Sequence, residues 1–155
     1  MAIDAYDLVN RFGAAAELGV AALFVGAGLS RGAGLPDWND LMEMPRARAG
    51  VPAAVRDLPL VAEYYEQDPQ GGRASLMDHL LRSTAAGHTE PSEGHRLLAK
   101  LPVREIWTTN FDPLIERSMP EAQVVSTDDE MQRVGYGRRS VVKMHGGVDP
   151  LRWTP

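Results

Sequence analysis

A glycine-rich segment, GAGLSRGAGLPDW (Gly26–Trp38), follows directly on the apolar run VAALFV (Val20–Val25). The apolar run is typical of a buried strand, and Pro36 with the acids that follow it is typical of the first turn of a helix. A strand, a glycine turn and a helix form the geometry that binds a pyrophosphate, because glycines let the backbone approach the anion with its amides free. The glycines at 26, 28, 32 and 34 depart from the standard dinucleotide spacing, so the segment alone is a weak signal.

Two later segments each place polar side chains directly after a short β-rich run. REIWTTNFD spans Arg104–Asp112, and SVVKMHGG spans Ser140–Gly147. Because the carboxyl ends of parallel strands lie at one edge of an open sheet, where ligands bind, we expect all three segments to meet there. The pattern predicts an α/β fold with a Rossmann-like parallel sheet and flanking helices.

The rest of the chain is predicted to supply further helices and one more strand. Residues 4–18 have an apolar helical face, and residues 41–87 have a helical pattern that prolines 45, 52, 59 and 69 and the glycine pair at 71–72 interrupt. We interpret 41–87 as a helical insertion of several short helices that lies over the site as a lid. The remaining predictions are helices at 94–101 and 113–119, a short strand at 123–126, and a polar connection of one helical turn at 127–137.

The composition is that of an ordinary globular domain, and it excludes several functions. The chain has 155 residues, 44% of them hydrophobic and 24% charged, which is enough for one domain with a real core. A net charge of −5 with no basic run argues against direct contact with nucleic acid. No cysteine is present, so no thiolate metal site is possible, and we expect no metal. We find no signal peptide and no apolar stretch that could span a membrane, and we therefore expect a cytoplasmic protein.

The chain contains these three segments in this order, and it thereby resembles the sirtuin family from about Leu23 to Gly147. GAGLS and AGLPDW (26–30 and 33–38) are similar to the family's first NAD-binding motif, TNFD (109–112) to its second, and KMHG (143–146) to its catalytic histidine motif. The resemblance is greatest to the bacterial sirtuin-like NAD hydrolases, because Thr109 stands where the protein deacylases have glutamine and their four-cysteine zinc module is absent. It implies that NAD is the substrate and that the activity is that of an NAD glycohydrolase, which several of those proteins use in antiphage defence.

Four polar side chains are the candidates for the chemistry. The amide of Asn110 both donates and accepts hydrogen bonds, which suits a ribose hydroxyl or the attacking water, and the imidazole of His145 titrates near neutral pH, as a general base requires. The resemblance gives Asn110 and His145 catalytic roles and implies that Asp112 holds the nicotinamide carboxamide. We expect Ser30 to bond a phosphate or ribose oxygen. The complete set expected to bind NAD is Gly26, Ala27, Gly28, Ser30, Gly34, Pro36 and Asp112.

The same residues also have purely structural interpretations. Asn110 or Asp112, just before a proline, is a common N-cap of a helix, and a histidine before two glycines can simply bond a carbonyl in its loop. The ordered presence of all three motifs favours the functional interpretation of His145. Three residues of the first motif have structural interpretations as well: packing for Trp38, a helix-start acid for Asp37, and a solvated turn for Arg31.

Two other functions stay open from the sequence. An NAD-dependent protein deacylase makes O-acetyl-ADP-ribose from an acetylated peptide, and a non-catalytic module binds a nucleotide or a partner without turnover. Because a sirtuin-like fold continues after the histidine motif, the resemblance implies that residues 1–155 are the N-terminal part of an NAD-binding domain, cut short after that motif. We therefore expect a homo-oligomer, or a partner chain or domain, to complete the fold, since the edge of the last strand and an apolar face should be uncovered.

Overall fold

The computed structural model describes residues 4–84, 89–132 and 137–144 and has a parallel sheet at its centre. The strands lie in the order β1-β2-β4-β3, and each neighbouring pair is parallel. The predicted α/β fold with a Rossmann-like sheet is confirmed, and every strand lies within its predicted stretch. The strands are β1 (Ala22–Val25), β2 (Glu105–Thr108), β3 (Gln123–Val125) and β4 (Ser140–Lys143).

The position of β4 differs from our expectation. This strand pairs with β2 on one side and with β3 on the other, so it lies inside the sheet, and the prediction that its edge is open was wrong. The edge strands of the described sheet are β1 and β3. Consecutive strands are most often neighbours, and no local apolar pattern indicates that β4 separates β2 from β3.

Helices connect the strands and flank the sheet. The helical pattern predicted for residues 41–87 forms three helices, the first of which begins slightly earlier, at residue 38. In the described part of the chain, no helix combines the length and the apolar character needed to cross a membrane. The helices are α1 (Ala5–Glu17), α2 (Gly28–Arg31), α3 (Trp38–Arg48), α4 (Leu58–Gln67), α5 (Arg73–Thr84), α6 (Glu93–Lys100), α7 (Leu114–Ser118) and α8 (Asp128–Met131).

The start of α3 is fixed by a reciprocal pair of caps. The carboxylate of Asp37 accepts from the backbone N–H groups of Asn39 (2.9 Å) and Asp40 (3.1 Å), and the carboxylate of Asp40 accepts from the N–H of Asp37 (3.1 Å). This capping box satisfies amides that have no partner within the helix. Pro36 therefore precedes the cap, where we had expected it in the first turn. Pro45 lies inside α3 and does not interrupt it, although the helix loses one amide donor there.

Two apolar clusters hold these elements together. The first packs one face of the sheet against α1, α6 and α7, and the second is formed by the insertion helices α3, α4 and α5. The insertion therefore has a core of its own. The buried members of the first cluster are Ala16, Leu98, Val103, Ile106, Ile115, Met119 and Val141, and those of the second are Leu41, Met42, Val51, Val61, Tyr65, Leu76 and Leu80.

The opposite face of the sheet carries an exposed side chain at β1. Successive side chains of a strand point to opposite faces, and Leu23 packs against the first cluster while Phe24 remains 66% exposed. Phe24 is therefore an exposed aromatic side chain on this edge strand, and the uncovered apolar face expected from the sequence stays a prediction.

The register of the parallel strands aligns the points at which the predicted site segments begin. Val25 pairs with Thr108, and Thr108 pairs with Lys143, so these last residues of β1, β2 and β4 form one row across the sheet. The glycine segment begins after the first of them and the TNFD segment after the second. Both segments therefore leave the sheet at the same edge, as predicted.

Candidate active site

The glycine segment after β1 forms a compact turn around α2. The backbone N–H groups of Ala33 and Leu35 both donate to the carbonyl of Ser30, over 3.0 and 3.2 Å, which closes the segment on itself. Gly34 has a φ of 88°, a left-handed conformation that residues with a Cβ rarely adopt. This glycine is therefore required by the backbone of the turn.

Two other glycines of the segment are not required by the fold. Neither Gly26 nor Gly28 has a positive φ, and among residues 4–84, 89–132 and 137–144 a Cβ on either would have no heavy atom within 4 Å beyond its chain neighbours and its own helix backbone. The backbone conformation and the packing would both tolerate a side chain at these positions. The missing side chains leave open space against the turn, which is what a bound phosphate needs.

Asn110 joins this turn to the TNFD segment after β2. Its side-chain Nδ2 donates to the carbonyl of Gly26 (3.2 Å) and to the Oγ of Ser30 (2.9 Å), and its backbone N–H donates to the Oγ1 of Thr108 (3.0 Å). Asn110 is 5% exposed. Both hydrogens of the side-chain amide are therefore bound by acceptors of the protein.

The hydroxyl of Ser30 extends the network to Asp112. Because Ser30 accepts from Asn110, its own hydrogen is donated to the Oδ2 of Asp112, over 2.7 Å. The Oδ1 of Asp112 accepts from the backbone N–H of Leu114 (3.1 Å), so Asp112 also contributes to the start of α7, as the structural interpretation predicted. The hydroxyl that we expected to meet a ligand oxygen is thus held between two buried side chains, and it accepts from Asn110 and donates to Asp112.

The Oδ1 of Asn110 takes no part in this network. The atom is buried and has no hydrogen-bond partner in the described part of the chain. A buried polar atom without a partner costs about 1–3 kcal/mol, and such atoms are rare in folded proteins. With the amide held in one orientation, this oxygen is fixed as an acceptor for a hydroxyl or a water.

A small cavity lies beside Asn110. Its volume is about 20 Å³, enough for a single water. The rings of Trp38 and Phe111 line it and meet edge to face, with centroids 5.5 Å apart, so Trp38 packs as predicted. Of the residues expected to bind NAD, the structure brings five to this cavity or to Asn110 directly, and Gly28 and Gly34 lie outside the lining. The five are Gly26, Ala27, Ser30, Pro36 and Asp112.

Arg31 is held by an ion pair to the helix cap. Its guanidinium lies 2.7 Å from the Oδ2 of Asp37, and its side chain is 67% exposed. The backbone N–H of Asp40 makes the largest contribution to lowering the pKa of Asp37. The N–H of Asn39 and the guanidinium of Arg31 also favour its ionised carboxylate. Asp37 is thus a helix-start acid, as predicted.

Lys143 is a site residue whose role the sequence did not reveal. Its side chain is 3% exposed, and its Nζ donates to the carbonyls of Phe111 (3.0 Å) and Asp112 (2.7 Å) and to the Oε1 of Glu116 (2.6 Å). All four residues of β4 are buried. A lysine at the end of a buried strand indicates that partners for its charge lie nearby, because lysine is almost never buried without them.

His95 is a second buried group near the network. It is fully buried at the start of α6, where its Nδ1 accepts from the backbone N–H of Ser92 (3.2 Å) and lies 2.8 Å from the Ser92 hydroxyl. The ring hydrogen is therefore on Nε2. Burial lowers the pKa of His95, although the carboxylate of Asp112 acts in the opposite direction.

His145, the expected general base, lies outside the described residues. The strand that leads to it is held in register by Met144, whose backbone N–H donates to the carbonyl of Thr108 (2.9 Å). The meeting of His145 with Asn110 stays a prediction. Over residues 4–84, 89–132 and 137–144, no group of three histidine, aspartate or glutamate side chains is placed to hold a metal ion.

Comparison of the sequence with known proteins finds similarity to proteins that are named for reactions of NAD. No protein-family model matches the chain. The chain is 35% identical to the NAD(+) hydrolase ThsA of Enterococcus faecium, over 98% of its own length and 33% of that protein. It is 35% identical to the NAD(+) hydrolase ThsA of Bacillus cereus, over 83% of its length and 28% of that protein. It is also 31% identical to the NAD-dependent protein deacetylase 2 of Streptomyces coelicolor, over 81% of its length and 44% of that protein.

The chain thus spans about a third of the length of the two NAD(+) hydrolases. The resemblance that the ordered motifs predicted is confirmed by these similarities, which extend over most of the chain. The parallel sheet with a glycine turn and a buried asparagine at its carboxyl edge agrees with that relationship. This chain is therefore related to the sirtuin-like NAD(+) hydrolases over nearly its whole length.

Proposed function

We propose that this chain carries the core of an NAD glycohydrolase site, which cleaves the bond between nicotinamide and ribose. The proposal rests above all on the fixed amide of Asn110. Its two hydrogens are bound by Gly26 and Ser30, and its Oδ1 is left as a buried acceptor at the edge of the sheet. The similarity to proteins named NAD(+) hydrolase supports this reaction.

The reaction converts NAD⁺ and water into nicotinamide, ADP-ribose and a proton. The glycosidic C–N bond breaks, its electron pair leaves with the nicotinamide nitrogen, and the water oxygen bonds to the anomeric carbon. The Oδ1 of Asn110 accepts a hydrogen bond from the attacking water or from a ribose hydroxyl, and so orients it for the reaction. His145 takes the proton as general base, a role that rests on the histidine motif of the sequence.

We place the pyrophosphate of NAD against the segment from residue 26 to residue 36. The open space at Gly26 and Gly28 supports this placement. The cavity of about 20 Å³ has no room for a nicotinamide ring, so we assign it to the water. A nicotinamide ring held at Asp112 would need more room than this cavity has, since the rings of Trp38 and Phe111 line it together with Asp112.

A deacetylase is the second candidate, supported by the similarity to the deacetylase of Streptomyces coelicolor. Such an enzyme breaks the same nicotinamide bond but uses the oxygen of an acetylated lysine in place of water. A role in antiphage defence, a cytoplasmic location and a partner that completes the fold stay predictions of the sequence.

The test uses the full natural protein that contains this chain. Incubated with NAD alone, it should release nicotinamide and ADP-ribose in equal amounts, measured by chromatography. The Asn110→Ala variant should lose about a hundredfold in turnover, since misplacing a reacting group has an effect of this size. The matched control is Asn39→Ala, on the exposed start of α3.

Three outcomes separate the candidates. Turnover that requires an acetylated peptide and yields O-acetyl-ADP-ribose would establish the deacetylase. Tight NAD binding without any product would indicate a non-catalytic module. Equal turnover of the Asn110→Ala and Asn39→Ala variants would remove Asn110 from the mechanism.

A further inference from the structure

We propose that Lys143 is a positioning residue whose ammonium group fixes the loop that carries Asn110. The inference rests on the proposed hydrolase function and adds to it a residue outside the NAD-binding set. It concerns a contact between two motifs: the lysine of KMHG and the backbone of TNFD. Lys143 touches neither substrate nor water in this role and acts through Asn110.

The ammonium group of Lys143 has three hydrogens, and the structure supplies three acceptors. Two are the backbone carbonyls of Phe111 and Asp112, and the third is the carboxylate of Glu116, on α7. Because all the donors of a lysine are used, the buried charge is satisfied, and the ammonium cannot turn without losing one of these bonds.

The two carbonyls belong to a segment that regular secondary structure does not hold. β2 ends at Thr108 and α7 begins at Leu114, so the backbone between them has neither a sheet ladder nor a helix to bind it. Asn110 lies in the middle of this segment. Its side-chain amide is held by hydrogen bonds to Gly26 and Ser30. The backbone that follows it is held by the hydrogen bond from Lys143 to the carbonyl of Asp112.

An ion pair kept only for stability would not need the carbonyl contacts. Replacement of a buried ion pair by apolar residues of similar volume is often neutral or stabilising. The pair of Lys143 and Glu116, with side chains 3% and 14% exposed, can therefore be replaced as a unit to ask what the carbonyl contacts do.

The first test measures NAD hydrolysis and thermal unfolding in the full natural protein. The double variant Lys143→Met/Glu116→Leu removes both charges together. Lys143→Arg keeps the positive charge, but its planar fork cannot reproduce the three diverging hydrogen bonds. We expect kcat to fall at least tenfold in both variants while KM for NAD stays within about threefold, because the glycine turn is untouched. The control is Arg82→Met/Asp78→Leu, an exposed ion pair on α5.

The second test asks whether Lys143 acts through Asn110. In an Asn110→Ala background, Lys143→Arg should lower kcat by less than about threefold further, because coupled residues do not have additive effects. A full additional tenfold loss in that background would overturn the proposal. So would folded Lys143 variants with parental kcat, or a loss confined to the yield of folded protein at every Lys143 substitution. A parent protein that releases no nicotinamide would instead refute the hydrolase function itself.

Discussion

The side-chain amide of Asn110 donates to the hydroxyl of Ser30 over 2.9 Å, and this bond joins two segments that lie 80 positions apart in the chain. It also sets the direction of the next bond, since the Ser30 hydrogen is then donated to Asp112. The orientation of the Asn110 amide, and with it the place of Oδ1, is therefore fixed by this buried hydroxyl together with the carbonyl of Gly26.

Removal of that hydroxyl should weaken both the fold and the activity. In Ser30→Ala, the Oδ2 of Asp112 loses its donor and the Nδ2 of Asn110 loses one acceptor, so we expect the free energy of unfolding to fall by about 1–3 kcal/mol. Urea unfolding measures the first effect, and the rate of NAD hydrolysis should fall as well. The control is Ser118→Ala, whose hydroxyl bonds the carbonyl of Leu114 in its own helix. Equal stability of the two variants would show that the buried network contributes nothing.

A side chain at Gly28 should prevent NAD binding and leave the fold intact. A Cβ at Gly28 would have no heavy atom of the described residues within 4 Å, apart from its chain neighbours and the backbone of its own helix, and the φ of Gly28 is not positive. We therefore expect Gly28→Val to fold. The isopropyl group would fill the space assigned to the phosphates. We expect calorimetry to detect no binding of NAD or ADP-ribose. Gly13→Val, where a Cβ in α1 is equally free of contacts, is the matched control. An unchanged affinity of the Gly28 variant would refute the proposed phosphate site.

Replacement of His145 should affect turnover far more than binding. General acid–base catalysis contributes about a hundredfold to ten-thousandfold, so His145→Ala should lower kcat by at least that lower figure. His79→Gln is the control, since His79 bonds the carbonyl of Leu41 in the helical insertion. A loss below tenfold would exclude His145 as the base.

The stability of the fold should fall when the pH drops below about 6.5. The pKa of His95 is lowered from 6.5 in the folded protein, chiefly by burial. The unfolded chain therefore binds a proton at a pH where the folded chain does not, and acid favours unfolding from about 6.5 downwards until the folded pKa is reached. Urea unfolding at pH 7.5 and pH 5.5 should show a larger loss for the parent than for His95→Gln, which has no imidazole. Equal losses would mean that His95 does not control this dependence.

The strands and the meeting of the site segments were predictable from local pattern. VAALFV is an apolar run followed by the glycine turn, and EIWT and SVVK are short β-rich runs followed by polar residues of the motifs. Parallel pairing then brings the ends of all three to one edge. The position of β4 between β2 and β3 was not predictable, because it depends on pairing between distant segments. The asparagine, serine and aspartate of the motifs were identified, but the direction of their hydrogen bonds required coordinates. The role of Lys143 was missed for the same reason, since two of its three acceptors are backbone carbonyls, which have no signature in the sequence.

The strand order also bears on when, during synthesis, this domain can take shape. β2 and β3 are not neighbours in the described sheet, and they are joined there only through β4, the last of the four described strands to be translated. While the ribosome is still making residues 126–139, the β3 segment has no strand to pair with, and the ammonium of Lys143 does not yet exist. We expect a nascent chain that ends at Arg138 to exchange its β3 amide hydrogens with solvent as freely as an unfolded peptide. The hydrolase site proposed above is thereby incomplete in every nascent chain that ends before β4.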